Sequence, residues 1–352
     1  MMKVLHSADW HLGAALGRDD GSLRRELNAT PGKVAALVRR FECDLVLLSG
    51  DLLDGVPNRD TLDLLKAALK SMAVPVLIAP GNHDFVTPAS PWLTETFPEN
   101  VHIFKKPQLE SVVLPSLDCR VYGAGYDSMD CPPLLRDFRA EGTERHVLGI
   151  LHADPQTANA PYCPVTGEQV RESGLDYLAL GHIHKRGYFR AGSTLCAWPG
   201  CPMGRGFDEC GEKGVLLVSL GETAELQFIP LDGLRFHVLQ ANVETDPVSA
   251  LEKVLPPAAT DDYFRITLTG ECAPWDPNEL RQVYARYPHL ELIDKTVPPT
   301  DLWATAGTDT LEGIYFQMLQ NRLAEEPHQA DRIRLAAKIS RQLLNGQEVA
   351  LP

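Results

Sequence analysis

Short apolar runs, each closed by a polar turn, recur through roughly the first 230 residues of the 352-residue chain. KVLHSAD (3–9), DLVLLSGD (44–51) and PVLIAPGN (75–82) are too short for stable helices and predict buried strands. Helices are expected between them. One is predicted to begin at Thr30-Pro31, where a capping threonine precedes a proline suited to the first helical position, and another near Asn58–Thr61. A β-α-β-α-β order implies a parallel sheet with right-handed crossovers. VHIF (101–104), ESVVLP (110–115), RVYGAG (120–125), HVLGILH (146–152) and DYLALGH (176–182) form a second set. RGYFRAG, LCAWPG, GVLLVSL and AELQFIPL then follow closely, separated by turn residues, so antiparallel pairing is expected there. Two mixed sheets packed face to face, with helices outside, would bury all of these runs.

The pattern changes near Phe236. Residues 247–254 and 277–286 read as helices, FRITLTG (264–270) and LELIDKT (290–296) as strands. An αβαβ unit of this length is small for an independent domain and should act as a cap. Residues 308–323 and 329–345 read as amphipathic helices separated by Pro327. Leu311, Ile314, Tyr315, Met318 and Leu319 mark the apolar face of one, and Ile333, Ala336, Ile339 and Leu343 that of the other. The expected organisation is a main α/β domain (1–235), a small αβ cap (236–300) and a helical tail (301–352), the tail being a candidate for docking a partner.

The motifs that end the strand runs carry the candidate chemistry. Asp9 and His11 form a D-x-H pair, and Asp51 follows Gly50. Asn82 and His83 lie in GNHD, His152 closes VLGIL, and His182 and His184 form a G-H-x-H pair. Rigid strands aim such side chains at one point, and the loops after them leave it open. Asp9 and His11 can face the same way if the chain stays extended. A carboxylate such as Asp51 can bridge two cations about 3.5–4 Å apart, and Gly50 would leave room beside the backbone. His83 would turn away from its neighbour Asn82, into the substrate space, where an imidazole can protonate a leaving oxygen. Each motif alone has a plain structural reading: a capped loop, a helix-capping aspartate, a surface turn, a core histidine. In this order, together, they point to two-metal phosphoester chemistry.

Composition narrows the picture. Hydrophobic content is 44%, ample for a core, and no apolar run approaches the ~20 residues a membrane span needs. The N-terminal MMKVLHSADW is too short for a signal peptide and carries the first motif, so a cytoplasmic protein with no membrane association is expected. Eight scattered cysteines without a C-x-x-C pair are read as free thiols. Cys196, Cys201 and Cys210 are close in sequence but lack a fourth zinc ligand at suitable spacing. The net charge of −14 shows no broad basic stripe. If the substrate is DNA, much of the binding surface should then belong to a partner.

The motif order resembles the calcineurin-like metallophosphoesterase superfamily over residues 3–230. HSADWHLG, LLSGDLLD, PGNHD, LALGHIHK and AWPGCPMGRGFDECGEKGVLLV most resemble the SbcD-type DNA-repair exonuclease subunits. The resemblance implies an α/β fold: a four-layer α-β-β-α sandwich with a small C-terminal αβ cap and a helical tail. It implies one metal on Asp9, His11, Asp51 and His184, and another on Asp51, Asn82, His152 and His182, with His83 the unligated catalytic histidine. It further implies a hydrolase taking two divalent ions, usually Mn2+ although Fe or Zn would fit the mixed donors. DNA would be the substrate and an SMC-like coiled-coil ATPase the partner, with a homodimer left open. Asp54 stands where some relatives carry a histidine near the substrate strand, and the loop HADPQTANAPYCP matches no one subgroup. Arg205 is read either as a phosphate contact or as a solvated cation. The alternative function is a small-molecule phosphodiesterase or phosphatase using the same dinuclear site. A non-catalytic binding role is disfavoured, because a purely structural site has no need of His83.

Overall fold

The apolar runs do form strands. The computed structural model describes residues 1–17, 21–157, 159–258, 260–299 and 301–346. It divides into two units, the first comprising residues 1–238 and 261–263. In chain order this unit opens with β1 (Met2–Ser7), α1 (Ser22–Arg40), β2 (Leu45–Leu48), α2 (Arg59–Met72), β3 (Val76–Ile78), α3 (Pro91–Thr94) and β4 (Val101–Ile103). It continues with β5 (Glu110–Leu114), β6 (Cys119–Gly123), β7 (His146–His152), α4 (Gly167–Glu172) and β8 (Tyr177–Gly181). β9 (Gly187–Ala191), β10 (Thr194–Trp198), β11 (Gly214–Leu220) and β12 (Ala224–Pro230) complete it.

Two six-stranded sheets result, ordered β12-β11-β1-β2-β3-β4 and β5-β6-β7-β8-β10-β9. β1 to β4 pair in parallel, whereas β11 is antiparallel to β1 and also to β12, the latter as their close spacing predicts. Side chains alternate along each strand, so neighbours serve different layers. Val4, Leu45 and Leu47 join Leu148, Ile150, Tyr177 and Ala179 in the layer between the sheets. Leu5, Val46 and Leu48 face outward onto Leu27, Val34 and Val38 of α1 and Leu62, Leu65 and Leu69 of α2. Leu151, Leu178 and Leu180 face outward on the other sheet, where Val170 of α4 covers them. The unit is a four-layer α-β-β-α sandwich.

The first helix departs from expectation. It starts at Ser22 rather than at Thr30-Pro31, which lie inside it. Leu23, Leu27, Val34 and Val38 form one buried stripe through the proline, and burying that stripe outweighs the lost backbone hydrogen bond. Thr30 caps nothing; its hydroxyl donates to the Glu26 carbonyl one turn back. The second helix begins as predicted, with Asn58 accepting from the Thr61 N–H at 2.9 Å.

A small polar cluster sits between the sheets. His6 is fully buried, with Nδ1 2.7 Å from the Tyr177 hydroxyl and Nε2 2.7 Å from the Ser49 hydroxyl. Burial lowers its pKa from 6.5 to about 3. Between those values the unfolded chain binds a proton that the folded chain refuses, so stability falls as pH drops through that window. Between pH 7 and 5 His6 should cost about 2 kcal/mol. The urea midpoint of metal-free protein should drop less over that interval in His6→Gln than in the parent. An equal drop in both would assign the effect to other groups.

The second unit takes residues 239–260 and the described residues from 264 onward. It is organised on a three-stranded sheet, β13 (Phe236–Val243), β14 (Tyr263–Glu271) and β15 (His289–Val297), in that order. α5 (Pro247–Glu252) and α6 (Pro277–Val283) connect the strands. The opening strand β13 adds to the αβαβ pattern expected from sequence. Its burial alternates only in part, with Phe236, Ala241 and Val243 buried, so its period is weak. Leu251, Phe264, Ile266, Leu268 and Tyr284 form the core. α7 (Leu311–Glu325) and α8 (Ala330–Leu344) follow; residues 347–352 of the predicted tail lie outside the described residues.

Candidate metal centre

The functional loops start where the parallel strands end. β1 stops at Ser7, and Asp9 and His11 are not extended: both adopt left-handed backbone, φ 56° and 49°. The expected strand alternation therefore does not aim them. Backbone pairing to the next loop does, because Asp9 N–H donates to Gly50 O at 3.0 Å and His11 N–H to Asp51 O at 2.9 Å. Asp51 and His182 are left-handed as well, φ 51° and 87°. The space beside Gly50 is taken by an imidazole: a Cβ there would lie 2.5 Å from His152 Nδ1. A Cβ on Gly81 would lie 2.3 Å from Asp51 Oδ1.

Asp84, the last residue of GNHD, clamps these loops together. Its carboxylate accepts from the N–H groups of Gly81 (2.7 Å), Leu52 (2.8 Å), Asp51 and Leu53 (both 3.2 Å). Four oriented donors around one buried carboxylate hold the turn that presents Asp51 to the turn that presents Asn82.

The predicted residues converge. His11 Nε2 lies 3.2 Å from His184 Nε2 and 3.8 Å from Asp51 Oδ2. His152 Nε2 lies 3.3 Å from the same Asp51 oxygen and 3.0 Å from Asn82 Oδ1. Potential ligand atoms fall within 4.8 Å of one another in three groups: Asp9, His11 and His184; Asp9, Asp51 and His152; and His11, Asp51 and His83. Asp51 belongs to two of them. His182 is in none of these groups among the described residues; its N–H donates to Asp9 Oδ1 at 3.0 Å and its ring centroid is 5.2 Å from that of His152. No such group includes a cysteine, so Cys196, Cys201 and Cys210 gather no site among the described residues.

The donor set fits divalent cations. Asp9 Oδ2 is buried and has no hydrogen-bond partner among the described residues, an arrangement that costs free energy unless a cation supplies the missing contact. His11 and His184 turn ring nitrogens toward each other at hydrogen-bond distance. Burial lowers the pKa of His11 to about 3 and of His182 to about 4, which keeps their lone pairs free. Burial also raises the Asp9 carboxyl to about 6. Burial alone would raise Asp51, but the imidazoles of His152 and His11 and the His83 N–H hold it well below the usual carboxylate range. Burial would lower His152, yet the Asp51 charge pushes it up to about 9.

Outer partners orient these rings. His152 Nδ1–H donates to Ser49 O at 2.9 Å, and His184 Nδ1–H to Glu209 Oε1 at 2.7 Å, leaving each Nε2 facing the cluster. Burial would raise Glu209; its hydrogen bonds to His184 and Arg205 keep it well below its ordinary value. Arg205 is not solvated, because its guanidinium lies 2.8 Å from Glu209 Oε1 and 3.3 Å from His184 Nδ1. His83 stands apart by exposure, its side chain 43% accessible, with Nδ1 3.2 Å from Asp54 Oδ1. Sequence reasoning did not find Glu209, Asp84 or the Ser49 carbonyl. The D in GNHD was in plain view, but the role of Glu209 depends on a fold-level contact across 25 residues.

Comparison with known proteins gives the family. Residues 2–186 match the family model for calcineurin-like phosphoesterases. The chain is 34% identical over 191 residues to a protein of Bacillus subtilis called uncharacterized metallophosphoesterase YhaO, covering 51% of this chain and 46% of that one, so it spans about half that relative's length. It is 25% identical over 323 residues to the SbcD component of the SbcCD nuclease of Staphylococcus saprophyticus, covering 80% and 82% of the two chains. Its identity to the Staphylococcus epidermidis protein of the same name is 22%, across 95% and 97%. A dimetal phosphatase from Danio rerio superposes with a TM-score of 0.45 at 15% identity, over 65% of this chain and 96% of that one. With its motifs gathered at the strand ends and over half its length matched, the chain belongs to the calcineurin-like phosphoesterase family and is a metal-dependent phosphoesterase.

Proposed function

We propose that this phosphoesterase hydrolyses DNA phosphodiesters as an SbcD-type nuclease, in the cytoplasm, beside an SMC-like coiled-coil ATPase. One observation carries the chemistry: a buried carboxylate–imidazole cluster with a single exposed imidazole, His83, at its edge. Asp9, His11, Asp51 and His184 would hold one cation, and Asp51, Asn82, His152 and His182 the other, with manganese favoured and iron or zinc the alternatives. Bound cations supply Lewis-acid activation of the phosphoryl group and of water. The chain's own residues do the rest. Asp54 accepts from Nδ1–H and fixes the ring plane of His83, so that the imidazolium form aims its Nε2–H at the departing sugar oxygen and delivers that proton to it. Glu209 and the Ser49 carbonyl keep two ligand rings from turning. Residues 1–235 would be the catalytic domain, 236–300 the cap and 301–352 the docking tail.

Support for the DNA substrate is the pair of nuclease components aligned across most of the chain. The tail supports the partner. Phe316, Ile333 and Ala337 are buried, so Ile333 is unavailable as a docking anchor. Leu311, Ile314 and Met318 face outward at helical spacing, Met318 66% exposed. The net charge of −14 favours the rival reading, a small-molecule phosphodiesterase. The two part under manganese. A DNA duplex end should be cut, and an Ile314→Asp/Met318→Asp variant should lose co-purifying ATPase while an aryl phosphodiester is hydrolysed at the parent rate. Hydrolysis of the aryl ester without cleavage of DNA would leave the small-molecule reading.

A further inference from the structure

We propose that the edge strand β9 is a track for single-stranded nucleic acid leading away from the metal centre, a reading that rests on the phosphodiesterase function above. β9 begins three residues after His184, so its first end is tethered to a residue of the cluster. Strand alternation sends Phe189 and Ala191 into the outer apolar layer and Tyr188 and Arg190 to the opposite face. Arg186 reaches that same face, because its guanidinium lies 3.7 Å from the Phe228 ring on β12 and Arg190 donates to Ala224 O on the same strand at 2.7 Å. The order along the edge is therefore cation, aromatic, cation, with about 7 Å between successive side chains. That spacing is close to one backbone repeat of an extended polynucleotide.

The three side chains are presented rather than buried. Tyr188 is 67% exposed, at the strand position between Arg186 and Arg190. Stacking on Phe228 holds the Arg186 fork flat with its N–H edges free, and two carbonyls, Ser193 O and Ala224 O, anchor Arg190. Side chains fixed before binding lose little freedom on binding. Neither arginine is ion-paired with a carboxylate among the described residues, in a chain of net charge −14. Glu225, on β12, alternates to the far side of its strand. Guanidiniums suit phosphates, and an exposed ring suits a base face. A duplex hides its base faces, so Tyr188 can serve only an unpaired strand.

Fluorescence anisotropy of a labelled phosphorothioate oligothymidylate, which resists cleavage, tests this on the manganese-loaded full chain. Tyr188→Ala should weaken binding about 5- to 150-fold, and Tyr188→Trp should restore it. Arg186→Gln with Arg190→Gln should lower the slope of log affinity against log salt by roughly 1.4, two contacts' worth for a single strand. Hydrolysis of an aryl phosphodiester should stay at the parent rate in all three. The track is overturned if the parent does not bind the oligonucleotide, if Tyr188→Ala binds as the parent does, or if polyglutamate competes equally well. The arginines would then only shield an open sheet edge. A parent that binds the strand but hydrolyses no phosphodiester would instead overturn the catalytic reading and leave the track standing.

Discussion

His83→Ala should lose about 10²–10⁴-fold of its hydrolysis of DNA while keeping both cations, the usual scale for a missing general acid. The two halves of this result test different things. Loss of activity alone would follow from any damage near the cluster. Retained metal, measured by elemental analysis, would separate a proton donor from a ligand. The distinction matters because His83 lies within reach of His11 and Asp51. A third readout sharpens it. A phosphodiester with a nitrophenolate leaving group needs no proton on departure, so the same variant should hydrolyse it with a much smaller loss. Asp54→Asn should fall between parent and His83→Ala, since the imidazole remains but loses its orienting carboxylate. A variant that loses one cation, or that fails equally on both substrates, would show that His83 is not the acid.

Asp51→Asn should empty the whole centre. One Asp51 oxygen lies 3.3 Å from His152 Nε2 and 3.8 Å from His11 Nε2, and the other accepts the His83 N–H at 2.9 Å. That single carboxylate reaches both halves of the cluster. Outer partners of a metal site are typically worth about 10- to 100-fold in affinity, and a shared ligand should exceed that for both cations. His184→Ala should weaken chiefly one. Calorimetric titration with manganese would read both, and chelation would give an independent check: removing metal should lower the melting temperature of the parent and leave Asp51→Asn unmoved. Two cations bound to Asp51→Asn at parent affinity would rule out the bridging role.

The sequence was most legible where a local pattern and the fold asked for the same thing. The runs ending at Ser7, Leu48, Ile78, His152 and Gly181 alternate or are wholly apolar, and they are strands. The polar residues at and just after their ends were readable as a candidate site, and the fold brings them together. Failures came from competition between signals. Thr30-Pro31 has the chemistry of a helix start, yet the apolar stripe from Leu23 to Val38 runs through it, and packing prevailed over capping. In α7 two apolar sides compete, and periodicity cannot say which meets the core; Phe316 does, and Met318 does not. Glu209 was illegible for a different reason. Its partner His184 is set by the approach of two loops, which no short window contains.

The left-handed backbone at Asp9, His11, Asp51 and His182 sets backbone strain against the metal-holding role proposed for these residues. Residues with side chains in that region cost of order 1–3 kcal/mol each, less for aspartate than for histidine. Glycine would relax every one of these positions and abolish its donor atom. In the metal-free protein, the four strained sites are thus places where glycine would raise stability while removing a proposed donor. Selection for heat tolerance under chelation, without selection for turnover, should enrich glycine at His11 and His182 before it reaches the hydrophobic layers.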